Sequence, residues 1–150
     1  MKLKKILFAS IIASSAVLST AHAKSSSLER ANEKLVITFY QQLFGDKNLE
    51  AIDKYLSKDY IQHNPTVPDG RAPLKAAAKE WFSGAAKEKV DIVRSAVKDD
   101  TVFLHVRNKR PDGGINAVVD IFRVKNGKIV EHWDVIQDAP ATSANAHPMF

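Results

Sequence analysis

Cysteine is absent from all 150 residues of the chain. Disulfide bonds and thiol nucleophiles are therefore excluded, and the protein can fold in an oxidising compartment without them.

A strong net charge is also missing once the first 23 residues are set aside. That segment carries Lys2, Lys4 and Lys5, which leaves 22 − 3 = 19 basic residues against 17 acidic ones. This near balance gives no argument for binding nucleic acid.

Long apolar runs are missing too, and the one short run lies near the start of the chain. Residues 6–18 are mostly apolar, follow a basic segment and precede Ala21-His22-Ala23. This is the pattern of a secretory signal peptide cleaved after Ala23, and the run is too short for a comfortable membrane span. We therefore expect a periplasmic or secreted protein of 150 − 23 = 127 residues, with no stable membrane association after cleavage.

The spacing of apolar residues predicts three helices followed by strands. The first helix should end at Gly45, and apolar residues then recur every second position from Val90 onwards. The predicted elements are a second helix from Leu49 to about Leu56, a third from about Ala72 to Ala86, strands Val90–Val97 and Thr101–Arg110, and a hairpin over Ile115–Gln137. Asp59–Gly70 has no regular pattern, and Trp81 is expected in the core. Segregated helices and strands indicate an α+β fold in one domain, residues 24–138, with a tail over 139–150.

The hairpin around Asn126-Gly127 has two possible registers. A two-residue turn pairs Val124 with Ile129 and scatters the polar residues over both faces. A three-residue loop, Lys125 to Gly127, pairs Val124 with Lys128 and Asp120 with His132. We favour the three-residue loop because it collects one mostly apolar face with a compact ionisable group. That face would hold Val118, Asp120, Phe122, Val130, His132, Asp134 and Ile136.

Charged residues on a buried strand face are costly unless they are paired or functional. A four-residue turn at Pro111–Gly114 would place His105 opposite Asp120, beside His132 and Asp134. Two imidazoles and two carboxylates inside a curved sheet suit general acid–base chemistry. A hydrogen-bond network that only orders the core would explain the same residues. Glu131 and Trp133 should lie on the opposite face, where Trp133 would pack against a partner or the outer sheet surface.

The segment Tyr60-Ile61-Gln62-His63-Asn64-Pro65 is rich in hydrogen-bonding side chains for a plain connection. We expect His63, Tyr60 and Asn64 to face the pocket, although a loop histidine before Asn-Pro can instead bond the local backbone. Asp69-Gly70 is expected to shape the start of the third helix.

Three motifs together resemble the SnoaL-like polyketide cyclase family of the nuclear transport factor 2-like superfamily. They are Tyr60–Pro65 with Asp69-Gly70, Asp120–Arg123, and Asn126–Asp134. The resemblance runs from about Leu28 to the C-terminus, and the tail is similar to that of a secreted bacterial branch. It implies a cone-shaped barrel, in which a curved antiparallel sheet of four or more strands wraps around the helices. It also implies a pocket at the open end and homodimers packed through the outer sheet face.

In cyclases of this kind an acidic residue acts as general acid and base in an aldol condensation, without metal or cofactor. The resemblance assigns that role to Asp134, with His63, Asp120 and His132 as helpers. Tyr60, Asn64, His105 and Phe122 are the expected ligand-binding residues. The secretion signal departs from true polyketide cyclases, which are cytoplasmic and act on large polycyclic substrates.

Three functions therefore remain open. The first is a cofactor-free lyase or isomerase that transfers a proton next to a carbonyl of a small, mostly apolar molecule. Asp134 would be its base, and His63 or His132 would donate to the enolate oxygen. The second is a periplasmic protein that binds a small ligand without turnover. The third is a metal site of His63, His105, His132 and a carboxylate, which no local metal motif supports.

Overall fold

The computed structural model describes residues 27–150, so the predicted leader and its cleavage site lie outside the described residues. Helix α1 covers residues 27–45, and its last turn, Gln41–Gly45, is π-helical. The other elements are α2 (Glu50–Tyr55), β1 (Leu56–Gln62), α3 (Arg71–Trp81), β2 (Asp91–Lys98), β3 (Thr101–Lys109), β4 (Ile115–Lys125) and β5 (Lys128–Asp138). In this part of the chain, every helix is too short or too polar to cross a membrane.

The five strands form one mixed sheet in the order β1-β5-β4-β3-β2. Strands β2 to β5 form the expected antiparallel meander, whereas β1 lies parallel to β5. The α+β class is thus confirmed, but the purely antiparallel sheet is wrong, and a strand separates α2 from α3. Only Leu56 and Tyr60 of β1 are buried, and a register irregularity separates Leu56 from Ile61. The alternation was therefore too weak to predict this strand.

The core lies between α1 and the inner face of the sheet. Val36, Phe39 and Leu43 of α1 are buried, and the Phe39 ring meets Phe122 edge to face at 6.0 Å. Helix α3 buries Leu74 and Ala78 but ends at Trp81, which is 48% exposed. The expectation that Trp81 lies in the core is wrong, because the helix stops before another turn could cover it.

The β4–β5 hairpin has the two-residue turn, not the favoured three-residue loop. Asn126 and Gly127 have φ of 53° and 69°, and Lys125 pairs with Lys128. These are the backbone angles of a type I′ turn. A bulge follows immediately, because Val124 pairs with Ile129 but Arg123 pairs with Glu131, which leaves Val130 without a partner. The bulge shifts the register by one residue.

This bulge restores the polar face that was predicted from the other loop. Asp120 pairs with Asp134 and Phe122 with His132, so the expected pairing of Asp120 with His132 is wrong. All four side chains nevertheless share the inner face. Ile129, not Val130, takes the buried position nearest the turn.

The β3–β4 register also differs from the prediction. Lys109, not Arg110, pairs with Ile115, so the connection has five residues. His105 consequently lies opposite Val119 and on the outer face, while Leu104 lies opposite Asp120. The one additional loop residue is enough to move His105 away from the polar face, because side chains alternate along a strand.

The C-terminal residues pack on the outer face of the sheet. The ring of Phe150 stacks on His105 with 5.7 Å between the ring centres, and the Arg107 guanidinium lies 4.6 Å from the centre of the same ring. The ring of Phe150 therefore lies on the side of the sheet opposite the acidic residues.

Candidate functional site

Two carboxylates and an imidazole form the centre of the inner sheet face. Asp120 on β4 and Asp134 on β5 are direct cross-strand partners, and His132 lies one inward position from Asp134. Asp120 and His132 are 4% and 8% exposed, whereas Asp134 is half-buried. Because β4 and β5 are central strands, their long ladders hold these three groups in fixed relative positions.

The hydrogen bonds of His132 define its tautomer. Its Nδ1 lies 2.8 Å from Gln62 Oε1, an oxygen that already accepts a bond from the Asn64 backbone N–H at 3.0 Å. Since that oxygen can only accept, His132 Nδ1 carries a proton. His132 Nε2 then faces Asp120 Oδ1 at 3.0 Å. The bond between them requires one proton, carried either by the imidazole or by the carboxyl group.

Asp120 is fully engaged inside the protein. Its second oxygen, Oδ2, accepts a hydrogen bond of 2.8 Å from the Tyr40 hydroxyl of α1. Burial, together with the charge of Asp120, raises the pKa of Tyr40 well above its ordinary value of 10.0, so this hydroxyl remains a donor. Asp120 is thus held between Tyr40 and His132 and has a buried, structurally fixed position.

Asp134 has a different environment from its cross-strand partner. Both of its oxygens accept from Asn64 Nδ2, at 3.0 and 2.7 Å. The other side-chain atom of Asn64, Oδ1, accepts from the backbone N–H and the hydroxyl of Thr66. The amide of Asn64 is therefore oriented by its own loop and presents its donor to Asp134.

Tyr60 and Phe122 line the same region. The Tyr60 hydroxyl accepts from Gln62 Nε2 at 3.2 Å, and burial raises the pKa of Tyr60 far above 10.0. The Phe122 ring packs against the imidazole of His132, with 4.7 Å between ring centres. Both residues, like Asn64, therefore adjoin the acidic pair as the sequence suggested.

His63 does not point into this site. Its ring stacks on Trp133 with ring centres 4.5 Å apart and an angle of 7°, and its Nε2 lies 2.8 Å from Glu131 Oε1. Trp133 and Glu131 are outer-face residues of β5, as predicted. The expectation that His63 faces the pocket is wrong, because the alternation of β1 continues through residue 63 and turns its side chain outwards.

Two residues of the site were not predicted from the sequence. Gln62 was noted only as part of a motif, and Tyr40 was not singled out at all. A hydroxyl or amide side chain within a helix or strand fits an ordinary amphipathic pattern and therefore does not stand out as a site residue. The one signal that could have identified Gln62 is its place between Tyr60 and Asn64 at strand spacing, which directs all three to one face.

The site also contains the donor set of a possible metal centre. Asp120, His132 and Asp134 each offer one ligand atom, and these atoms lie within 4.8 Å of one another. The set differs from the one considered from the sequence, because His63 and His105 lie on the outer face. Two surface depressions of the described chain lie elsewhere, one bordered by Leu28 and Asp99 and the other by Lys58 and Arg71.

The comparison with protein families agrees with this architecture. The family described as SnoaL-like domain matches residues 36–132, which include α1 from Val36 and four of the five strands, with β5 up to His132. The chain belongs to the SnoaL-like domain family. The match includes Asp120 and His132 and ends two residues before Asp134. A search of curated proteins finds no match to this SnoaL-like chain.

Solved structures share the fold at low sequence identity. TsrD from Streptomyces laurentii is 21% identical with a TM-score of 0.58, and the match covers 71% of this chain and 89% of that one. A candidate polyketide cyclase from Acidithiobacillus ferrooxidans is 16% identical (TM-score 0.57, 71% and 87% covered). A candidate ketosteroid isomerase from Kribbella flavida is 15% identical (TM-score 0.61, 78% and 85% covered). At these identities the likeness establishes the fold and leaves the reaction open.

Proposed function

We propose that this SnoaL-like protein is a cofactor-free acid–base enzyme that moves a proton next to a carbonyl group. The observation that carries the proposal is the unequal environment of two facing carboxylates. Asp120 is buried and bonded to Tyr40 and His132, whereas Asp134 is half-buried and bonded to the neutral amide of Asn64. Paired groups in unlike environments are the usual way in which one site separates an acid from a base.

Asp134 is the base in this proposal. The carboxylate would take the α-proton of a carbonyl compound and generate an enolate. The Asn64 amide, a neutral partner, donates to both of its oxygens and orients it. The enolate would then either regain the proton at another carbon, as in an isomerisation, or attack a second carbonyl, as in an aldol condensation.

His132 is the donor to the developing enolate oxygen. Gln62 holds its Nδ1–H and Asp120 holds its Nε2, so to reach the enolate oxygen the Nε2–H would have to share its hydrogen bond between Asp120 Oδ1 and the substrate. A donor held in place before the reaction stabilises a developing oxyanion without reorganisation. Asp120 would act through His132, and Tyr40 would keep Asp120 in position.

The surroundings of the acidic pair favour a small and mostly apolar substrate. Val118 and Ile136 form the next inward cross-strand pair, and Ile136 is 52% exposed. The Phe122 ring lies on the other side of the pair. An apolar molecule with one carbonyl could pack against these apolar side chains and place its carbonyl at the polar groups around Asp120 and Asp134.

The proposal is tested by deuterium exchange of simple ketones. The whole mature protein would be incubated in D2O with 2-tetralone or cyclohexanone, and the loss of α-proton NMR signals would be followed. Exchange clearly faster than in buffer with heat-denatured protein supports proton abstraction at this site. Absence of exchange with every ketone, while the folded protein binds them, would refute it.

The alternative is a protein that binds a small ligand by the same face without turnover. It is favoured by one observation: in residues 27–150, no buried side-chain nitrogen or oxygen lacks a hydrogen-bond partner. A network so well satisfied could serve order alone. Mass spectrometry of a ligand co-purified from the periplasm would show which class of molecule is held.

Two further expectations complete the proposal. We propose export through the signal peptide ending at Ala23, which the intact mass of protein from the native host would test.

We also propose a homodimer through the outer sheet face, where Phe103, Val119 and Val135 are exposed apolar residues. An apolar patch of this kind is typical of an interface.

A further inference from the structure

The segment Gln62–Asn64 alternates between the two faces of the sheet beside β5. Gln62 pairs with His132 and bonds its imidazole on the inner face. His63 then points outwards, and Asn64 returns inwards to Asp134. One backbone bond, from His63 N–H to the carbonyl of His132 at 2.9 Å, continues the ladder at this point.

Of these three residues, His63 is the one whose side chain contacts the outer face of the sheet. The His63 ring lies flat on Trp133, and its Nε2 bonds Glu131, so it holds the two residues that flank His132 in sequence. Glu131 is itself bound by Arg123 of β4, through both Nε at 2.7 Å and Nη2. The bonds from His63 first, and then from Arg123, hold the pKa of Glu131 below its usual value of 4.5 against the opposing effect of burial.

The edge position of β1 makes these contacts important. Strand β1 pairs with β5 on one side only, and its register is irregular between Leu56 and Ile61. Beyond Gln62 the ladder contributes a single backbone bond. The side chain of His63 is therefore the main outer-face attachment of this segment at the point where Asn64 must reach Asp134.

From this geometry we infer that His63 is a positioning residue for the acid–base site. By stacking on Trp133 and bonding Glu131 on the outer face, His63 keeps Asn64 in hydrogen-bonding position against Asp134. It does not contact the substrate. This inference rests on the proposed function in assigning Asp134 as the base. It also links the outer sheet face to the inner site through three consecutive residues.

The first test follows the Asn64 side chain and needs no substrate. The amide proton signals of Asn64 Nδ2 are identified by their loss in Asn64→Ser, and their exchange with solvent is measured by NMR. His63→Ala should loosen the hydrogen bond from Asn64 to Asp134 and speed this exchange by about tenfold or more. The effect is large because hydrogen bonds to a carboxylate are stronger than average. His147→Ala, which removes an exposed histidine of the tail, is the matched control and should leave the exchange unchanged.

The second test measures the rate of ketone deuteration. Because small displacements of a reacting group lower rates strongly, kcat in His63→Ala should fall by about tenfold, with KM changed less than twofold. His63→Gln can still donate to Glu131 and should recover part of kcat, which a merely space-filling role would not predict. His63→Phe keeps the stacking on Trp133 and loses the bond to Glu131.

The outcomes separate the two claims. Slow exchange at Asn64 in His63→Ala, equal to that in His147→Ala, would overturn the positioning role whatever the activity. Fast exchange at Asn64 together with no ketone turnover in the wild type would support positioning and reject the proposed reaction. If His63→Ala does not fold, His63→Phe and Glu131→Gln carry the same comparison, and unchanged Asn64 exchange in both would overturn the inference.

Discussion

At the residue scale, the arrangement depends on which partner each carboxylate has. Asp120 takes a hydroxyl and an imidazole, and Asp134 takes an amide, although the two residues lie directly opposite each other. The sequence identified both carboxylates and His132, because charged residues are conspicuous in an apolar strand. It did not identify Tyr40 or Gln62, since their partners lie 80 and 70 positions away in the chain and leave no local pattern.

Tyr40→Phe tests the buried bond to Asp120. The substitution removes a donor to a buried carboxylate and should lower the free energy of unfolding at pH 7 by roughly 1–3 kcal/mol. Because the pKa of Tyr40 is raised in the folded state, this advantage of the wild type is full below pH 10 and declines as the pH rises further.

Urea unfolding of both proteins between pH 7 and 11 measures this difference. Tyr55→Phe, whose ring packs on Phe39, is the control and should show no comparable loss. Equal stabilities at pH 7, or a difference that grows above pH 10, would contradict the assignment.

At the element scale, the hairpin shows how far the sequence could be interpreted. The Asn-Gly pair correctly located the turn, and most of the inner face was predicted correctly, although Val130 and His105 were wrongly placed on it. The predicted three-residue loop was wrong. A two-residue turn followed by a bulge at Val130 directs the same residues beyond the bulge to the inner face. A bulge adds one residue without changing the composition, so alternation alone cannot distinguish the two arrangements.

Strand β1 was missed for a related reason. Its middle residues, Lys58 and Asp59, are exposed and polar, so the segment resembles a loop. Its parallel pairing with β5 is a tertiary contact between residues about 70 positions apart. The same pairing decides that Asn64 faces Asp134 and that His63 does not.

The turn itself is tested by a pair of substitutions. Gly127→Val should destabilise the protein by about 1 kcal/mol or more, because a β-branched residue tolerates a φ of 69° badly. No neighbouring atom lies within 4 Å of the added Cβ, so the effect comes from the backbone conformation. Asn126→Gly at the adjacent position should be nearly neutral. Thermal unfolding measures both, and equal effects would exclude the type I′ turn.

At the scale of the whole molecule, the sheet separates two surfaces with different roles. The inner face holds the acidic pair, and the outer face holds exposed apolar side chains and the ring of Phe150. The α+β class and the family could be recognised from the sequence. The mixed strand order could not, because it depends on one parallel pairing at the edge.

Val135→Glu tests the proposed dimer. Val135 is 65% exposed and lies opposite Val119 on the outer face, so a buried charge there should convert dimers into monomers at micromolar concentration. Leu28→Glu, at an apolar position of α1 that is 59% exposed, is the matched control and should leave the assembly intact. Sedimentation velocity gives the answer, and a wild-type monomer at that concentration would rule out the proposed interface.

The central claim, that Asp134 is a base, is tested most directly by Asp134→Asn in the ketone deuteration assay. The amide keeps the shape of the side chain and can still accept a bond from Asn64, so the fold and ketone binding should persist. We predict that exchange falls by at least about a hundredfold, within the usual contribution of a general base. An Asp134→Asn protein that is folded and exchanges ketone protons as fast as the wild type would contradict the account.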